Sequence, residues 1–178
     1  MFYCFLADGF EETEALAPVD ILRRAGIAVT TVGVAGKVIN GSHKIPVTAD
    51  ITIDALDYAD MEGVILPGGM PGVKNLYAEQ RVLDAVSYAY DNGLFVCAIC
   101  AAPMILGRLG IVNGKKATCF PGFEDELKGA DVTGEKVVVD GKVITSKGAG
   151  CALDFGFAIT AQAKDEETAA RVSSSMQC

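Results

Sequence analysis

The sequence lacks tryptophan, contains a single histidine (His43) and has only 6 prolines among its 178 residues. Basic residues are also few: 15 lysines and arginines stand against 23 aspartates and glutamates, a formal net charge of −8. An acidic surface repels nucleic-acid phosphates and anionic lipid headgroups. The composition therefore argues against nucleic-acid and membrane-surface partners and favours small-molecule ligands.

No long hydrophobic run is present either. The longest uncharged apolar stretch, from Leu94 to Gly107, spans 14 residues, whereas a membrane-spanning helix needs about 20. Phe2 to Ala7 is apolar, but no basic residue precedes it and it is too short for a signal peptide. We therefore expect a cytoplasmic protein whose six cysteines are mostly reduced.

What is present is an alternation of short apolar runs and amphipathic stretches. Strands are predicted at residues 2–7, 28–34, 63–66, 94–99, 115–120, 136–139 and 142–146, and helices at 11–25, 78–90, 101–109, 151–163 and 166–173. Residues 37–53 alternate polar and apolar around Asn40-Gly41, which predicts a small hairpin. This order predicts one α/β domain over residues 1–178, with a mostly parallel sheet and helices on both faces.

A cysteine stands at the junction of a predicted strand and a predicted helix. Cys100 has small residues, Ala98 and Ala102, two positions away on either side, the pattern of a nucleophile elbow. Backbone N–H groups at the helix start would favour a thiolate and, with that of Gly69 in the neighbouring loop, hold a developing oxyanion. The alternative is that Cys100 is a small buried core residue.

Other cysteines carry weaker signals. Cys97 and Cys100 spell C-x-x-C, but Cys97 falls inside the predicted strand, which favours core packing over a redox pair. No zinc site is supported, because further ligands such as Cys4, Cys119 and Cys151 lack paired spacing, and no nucleotide-binding motif is present. We therefore expect neither a metal nor a cofactor. Cys151, at another predicted helix start, is interpreted as a packing residue, with a second polarised thiol as the alternative.

The first predicted helix carries Glu11, Glu12 and Glu14. Acidic residues in a first turn are usually solvated partners of the helix dipole. Pro18, however, has no N–H and leaves the carbonyl of Glu14 without a helical partner, which would aim this side chain inward. A carboxyl group in an apolar pocket has a raised pKa and can both donate and accept a proton.

The remaining polar residues give little evidence of a functional role. The sole histidine, His43, is the one imidazole that could serve Cys100 as a base, but it lies in the predicted hairpin, where a surface position is more common. Arg23 and Arg24 near a helix end are explained by the helix dipole alone.

Five segments together resemble the ThiJ/PfpI superfamily, most closely its Parkinsonism-associated deglycase branch. They are spread in order over nearly the whole chain and comprise residues 8–14 (DGFEETE), 18–26 (PVD with RRAG), 66–69 (LPGG), 98–103 (AICAAP) and 145–150 (TSKGAG).

The resemblance implies a flavodoxin-like three-layer sandwich, a homodimer and an oxidation-sensitive cysteine. Cys100 matches that cysteine, Glu14 matches the protonated glutamate beside it, and Gly69 and Ala101 match the neighbouring backbone donors. Related proteins are described as glyoxalases, deglycases and peroxide-responsive chaperones. Two candidate bases are absent, because Ala101 and Phe120 stand where relatives carry histidine, and this argues against proteolysis.

Three functions remain open from the sequence. The leading hypothesis is a cofactor-independent enzyme in which Cys100 attacks α-oxoaldehydes such as methylglyoxal, or their early glycation adducts, while Glu14 moves the proton and a 2-hydroxy acid is released. The alternative is a non-enzymatic thiol sensor or chaperone that uses the same two residues. A binding protein with an inert elbow is the third.

Overall fold

The computed structural model describes residues 1–178, which form eleven strands and six α-helices. The strands are β1 (Phe2–Leu6), β2 (Val29–Gly33), β3 (Val38–Asn40), β4 (Pro46–Thr48), β5 (Ile51–Thr52), β6 (Gly63–Leu66), β7 (Phe95–Ile99), β8 (Lys116–Ala117), β9 (Asp131–Val132), β10 (Val137–Asp140) and β11 (Val143–Ser146). The helices are α1 (Glu12–Arg24), α2 (Gly72–Ala78), α3 (Gln80–Asp91), α4 (Pro103–Arg108), α5 (Ala152–Ala163) and α6 (Glu166–Ser175).

Seven strands form the central sheet, in the order β10-β11-β7-β6-β1-β2-β5. All neighbours run parallel except β10, which pairs antiparallel with β11 at one edge. The parallel strands β1, β6 and β7 are buried along their whole length, as expected for strands covered on both faces. The predicted mostly parallel α/β sandwich is confirmed.

Helices cover the sheet on two sides, each over its own hydrophobic core. On one side, α2, α3 and α4 contribute Val73, Val86 and Ile105 to a cluster that continues through Phe5 and Val96 of the sheet. On the other side, α1 and α5 pack against a second cluster, with Leu22, Phe155 and Ile159 over Leu6 and Cys97. No helix is long and apolar enough to cross a membrane.

Several predicted elements differ in extent. The predicted hairpin is confirmed as the antiparallel pair β3–β4, but its last residues, Ile51–Thr52, join the edge of the main sheet instead. The predicted helix 78–90 is wrong in its start: α2 precedes it from Gly72, and α3 begins after Glu79, whose extended backbone separates the two.

The predicted strand 115–120 is also wrong beyond Ala117. Only Lys116–Ala117 is a strand, and it pairs with β9 outside the main sheet. The following backbone turns toward the sheet end, where the N–H of Thr118 donates to Thr145 Oγ1 (2.9 Å) and that of Phe120 donates to the carbonyl of Cys100 (2.8 Å). These bonds replace strand pairing and bring Phe120 to the end of β7.

The order of the strands sets where a site can form. The chain leaves β1 and β6 in opposite directions across the sheet, so a crevice forms between the loops that follow these two strands. The loops after β1, β6 and β7 lie side by side at the carboxyl end of the sheet, and each carries one of the segments singled out in the sequence.

Candidate active site

Cys100 directly follows β7 and has a backbone conformation that non-glycine residues seldom adopt. Its φ is +65°, in the left-handed region that costs a side chain about 1 kcal/mol or more. Two hydrogen bonds hold it there: its N–H donates to Ser146 (2.8 Å) and its carbonyl accepts from Phe120 (2.8 Å). The predicted elbow is therefore present. The helix that follows starts at Pro103 rather than 101 and has six residues, so its dipole contributes less than the sequence suggested.

Glu14 reaches the same place from α1. Its side chain is buried, with 1% of its surface exposed, and its Oε2 accepts the N–H of Gly68 at 2.9 Å. The Ala149 N–H and the Cys100 thiol also act on this carboxyl group and lower its pKa. Three loops therefore converge on one carboxyl group, and the prediction that Glu14 points inward is confirmed.

Gly68 fits between the thiol and the carboxyl group because it has no side chain. A Cβ atom placed on it would collide with Glu14 Oε2 and would lie 2.5 Å from Cβ and 3.0 Å from Sγ of Cys100. Any other residue would push the two groups apart. The sequence showed a glycine pair after β6 but did not indicate which glycine separates the reacting side chains.

Gly69 brings a backbone donor to the sulfur. Its φ of +89° suits glycine, and a side chain there would strike the backbone of Gly9 and Glu11 in the loop after β1. The N–H groups of Gly69 and Ala101 both lower the pKa of the Cys100 thiol. The structure thus brings Cys100, Glu14, Gly69 and Ala101 together, as predicted.

Burial raises the pKa of the Glu14 carboxyl group to about 7. The hydrogen bonds from Cys100, Gly68 and Ala149 oppose this change, and the negative charge of Glu11 adds to it. Near neutral pH, the Glu14 carboxyl group therefore occupies both protonation states, which is the condition for efficient general acid and base catalysis.

Opposing effects act on the ionisation of the Cys100 thiol. Burial, and then the charge and hydrogen bond of Glu14, raise the pKa of the Cys100 thiol to about 12, although the N–H groups of Gly69 and Ala101 lower it. Between about pH 7 and 12 the pair therefore holds one proton and one negative charge. Desolvation and Glu14 act against ionisation of the Cys100 thiol, and the backbone donors Gly69 and Ala101 act in its favour.

A small pocket opens beside Cys100 Sγ. It has a volume of about 140 Å³ and is lined by Gly69, Met70, Cys100, Ala101, Phe120 and Phe123. Phe120 and Met70 are partly exposed at 47% and 40%. Sequence reasoning had not singled out Met70, Phe123 or the Glu14 donors Gly68 and Ala149, since they reach the site only through the turns that carry them.

The histidine lies elsewhere. His43 Nδ1 is 2.8 Å from Glu12 Oε2, and the His43 N–H donates to Glu12 Oε1 at 2.7 Å. Hydrogen bonds to His43 and Ser42 outweigh burial and lower the pKa of Glu12 to about 2, while Glu12 raises the pKa of His43. His43 therefore serves the hairpin and α1, and the reactive pair has no imidazole partner.

The structure also shows where the other residues considered in the sequence lie. Arg24 pairs with Asp20 one turn away (2.8 Å). Cys151 is half-buried at the start of α5, and Cys97 is fully buried in β7, which confirms that Cys97 is a core residue. Ligand atoms of Glu11, Glu12 and His43 lie within 4.8 Å of one another, but Glu11 already caps Glu14 N–H (2.7 Å) and Glu12 binds the hairpin.

These features define a class: an α/β protein with a strained cysteine elbow, a hydrogen-bonded buried glutamate and backbone donors aimed at the sulfur. The model of the DJ-1/PfpI family matches residues 2–162. The chain belongs to this family, as the sequence motifs predicted.

Relatives cover nearly the whole chain. The Parkinson disease protein 7 homolog of Danio rerio is 37% identical over 172 residues, which are 94% of this chain and 91% of that protein. A deglycase of Pyrococcus abyssi is 28% identical over 79% of this chain and 86% of its own. The crystal structure of Drosophila melanogaster DJ-1beta superposes with a TM-score of 0.94 at 31% identity, covering 99% of this chain and 96% of that one.

The raised pKa of Glu14 predicts a pH-dependent stability. The folded state holds this proton more tightly than the unfolded state, so the free energy of unfolding falls as pH rises from about 4.5 to about 7. A shift of this size corresponds to about 3 kcal/mol. In Glu14→Gln we expect that decline to disappear in urea unfolding measured across this range.

Glu12→Gln is the matched control on the same helix. Its lowered pKa gives stability that is present above about pH 4.5 and lost as pH falls toward about 2. This variant should therefore change how the free energy of unfolding depends on pH below about 4.5 and leave its slope between pH 4.5 and 7 intact. An unaltered slope in Glu14→Gln would contradict the assignment.

Proposed function

We propose that this protein is a cofactor-independent enzyme that converts α-oxoaldehydes, or their early glycation adducts, to 2-hydroxy acids. The observation that carries the proposal is the placement of Cys100 and Glu14 on either side of Gly68: a nucleophile lies beside a buried carboxyl group with a pKa of about 7. The similarity to a Pyrococcus abyssi deglycase supports an enzymatic role.

The first step joins the sulfur to the aldehyde. The Glu14 carboxylate accepts the thiol proton as Cys100 Sγ attacks the aldehyde carbon, and the proton then passes to the carbonyl oxygen, giving a hemithioacetal. The N–H groups of Gly69 and Ala101, which lower the pKa of the Cys100 thiol, would stabilise the oxygen as negative charge develops on it.

The second step moves a proton between carbons. Glu14 removes the proton from the former aldehyde carbon, an enediolate forms, and Glu14 returns the proton to the neighbouring carbon, leaving a thioester on Cys100. Water then cleaves the thioester, which releases the 2-hydroxy acid and restores the thiol. The sum is one aldehyde plus one water, so no external oxidant or cofactor is consumed.

Substitution of either reacting residue tests the proposal. Cys100→Ser and Glu14→Gln should each lower methylglyoxal turnover by at least about 100-fold, measured as lactate formed above the buffer background. Because the carboxylate is the base, wild-type kcat/KM should rise with pH through about 7. Cys151→Ser is the control, since that half-buried thiol lies outside the pair; normal turnover in Cys100→Ser would refute the scheme.

A second candidate function is a peroxide sensor or chaperone that uses the same two groups. A solved relative is the oxidized DJ-1 of Toxoplasma gondii, with a TM-score of 0.95 and 28% identity over 99% of this chain and 97% of that one. Two molecules of hydrogen peroxide would convert the thiol to a sulfinic acid and release two waters. A sulfinate beside Glu14 would raise the pKa of its carboxyl group further, and the protonated form would donate a hydrogen bond to it.

Mild peroxide treatment distinguishes this role by mass spectrometry. The sensor predicts a gain of about 32 Da, two oxygen atoms, confined to Cys100. Cys178→Ser should leave the gain unchanged, although Cys178 is the exposed cysteine, and Glu14→Gln should divert Cys100 to other products. Oxidation spread over all six cysteines would rule out a specific sensor.

We also propose a homodimer. The β3–β4 hairpin and α1 leave large apolar side chains exposed, namely Val38, Ile45 and Leu16, and a second copy could cover them. Sedimentation velocity should give twice the chain mass of 18.6 kDa. Ile45→Lys should favour the monomer, whereas Leu153→Lys on α5, a comparably exposed site, should not. A wild-type protein that sediments as a monomer would disprove the dimer.

A further inference from the structure

Three side chains of metal-ligating type converge where the start of α1 meets the β3–β4 hairpin. Glu11 is the N-cap and Glu12 the first residue of α1, while His43 lies in the turn between β3 and β4. One ligand atom from each residue lies within 4.8 Å of the other two. An imidazole nitrogen with carboxylate oxygens is a ligand set that suits Zn²⁺ and related transition-metal ions.

The hairpin turn holds the Glu12 carboxylate in place. This side chain is 8% exposed, and its Oε1 accepts the N–H of His43 at 2.7 Å. Gly41 permits the close approach, because a Cβ atom there would collide with Glu12 Oε1 and lie 2.5 Å from its Cγ. A carboxylate that is more than nine-tenths buried is therefore fixed with its second oxygen, Oε2, facing His43 Nδ1.

The spacing of these two atoms matches a pair of ligands on one ion. Glu12 Oε2 and His43 Nδ1 are 2.8 Å apart, and two ligands at right angles on a metal with bonds of about 2.0–2.1 Å are separated by about 2.9 Å. A divalent ion can therefore replace the Nδ1 proton, which is released to solvent. Glu11 uses Oε2 to cap the Glu14 N–H (2.7 Å), and its partly exposed side chain is free to turn Oε1 toward the ion.

The cluster also has more negative charge than its surroundings offset. Among the ion pairs of the structure, Glu12 pairs only with His43, and Glu11 pairs with no cationic side chain. Even with His43 protonated, the two carboxylates leave the group with one net negative charge. A divalent ion in place of that proton makes the cluster neutral, which is the stable condition for a largely buried carboxylate.

We propose that Glu11, Glu12 and His43 form a binding site for one divalent transition-metal ion, with Zn²⁺ as the occupant and water completing its coordination. The ion ties the start of α1 to the β3–β4 hairpin. No step of the proposed aldehyde chemistry uses this site, so the two proposals stand or fall separately. Local spacing patterns did not indicate it, because His43 follows Glu12 by 31 positions along the chain.

Zinc titration against a chromophoric chelator tests the site. We use Cys178→Ser as the parent, which removes the exposed thiol, and keep the other cysteines reduced; it should bind one Zn²⁺ per chain. Glu12→Gln and His43→Asn should each weaken binding by at least about tenfold, since loss of an outer-shell partner alone has an effect of that size. Because His43 is exposed, His43→Asn decides the test if Glu12→Gln does not fold.

The matched control removes a carboxylate from the first turn of another helix. Glu167→Gln, at an exposed position of α6, should bind Zn²⁺ as the parent does. Mg²⁺ in roughly thousandfold excess should not displace the zinc, because imidazole is a poor ligand for this hard ion. Displacement by Mg²⁺, or equal weakening in Glu167→Gln, would show a diffuse attraction to acidic groups and would overturn the site.

Binding to the cysteines is the rival result. Co²⁺ held by oxygen and nitrogen ligands should show visible d–d bands without a thiolate-to-cobalt charge-transfer band, and Cys100→Ser should bind zinc as tightly as the parent. A charge-transfer band, loss of binding in Cys100→Ser, or unchanged binding in His43→Asn would each refute the proposal.

Discussion

The Cys100 thiol and the Glu14 carboxyl group lie beside each other at a desolvated site, and the other residues of the site are arranged around this pair. Burial raises the pKa of both Glu14 and Cys100, so ionisation of either group costs free energy. Backbone N–H groups from three loops partly offset the cost. Gly68 keeps the two side chains in contact because it adds no atom between them.

The fold brings these loops together because the strands that precede them are neighbours in the sheet. Three adjacent strands, β1, β6 and β7, end at one edge of a sheet whose faces are filled by separate hydrophobic cores. Rigid layers beneath the loops allow a strained residue to persist at Cys100, since the cores on both sides would have to shift before its backbone could relax. The elbow is therefore a property of the sheet and of its neighbours as much as of the local sequence.

The same pair accounts for both proposed functions. A carboxyl group with a pKa of about 7 can accept a proton from an attacking thiol, and in its protonated form it can donate a hydrogen bond to an oxidised sulfur. The two roles differ in what reaches the sulfur, an aldehyde or a peroxide. Either molecule would reach the sulfur through the apolar pocket lined by Phe120 and Met70.

The sequence by itself determined the α/β class, the elbow at Cys100, the inward direction of Glu14 and the core position of Cys97, because strand period, helix stops and a helical proline are local signals. Only the tertiary structure decided that the pKa of Glu14 is raised, since desolvation depends on every atom packed around the carboxyl group. It also decided that Phe120 leaves its predicted strand to bond to Cys100, and that His43 faces Glu12. Those partners are distant along the chain, and no local pattern encodes a contact that forms only when separate loops meet.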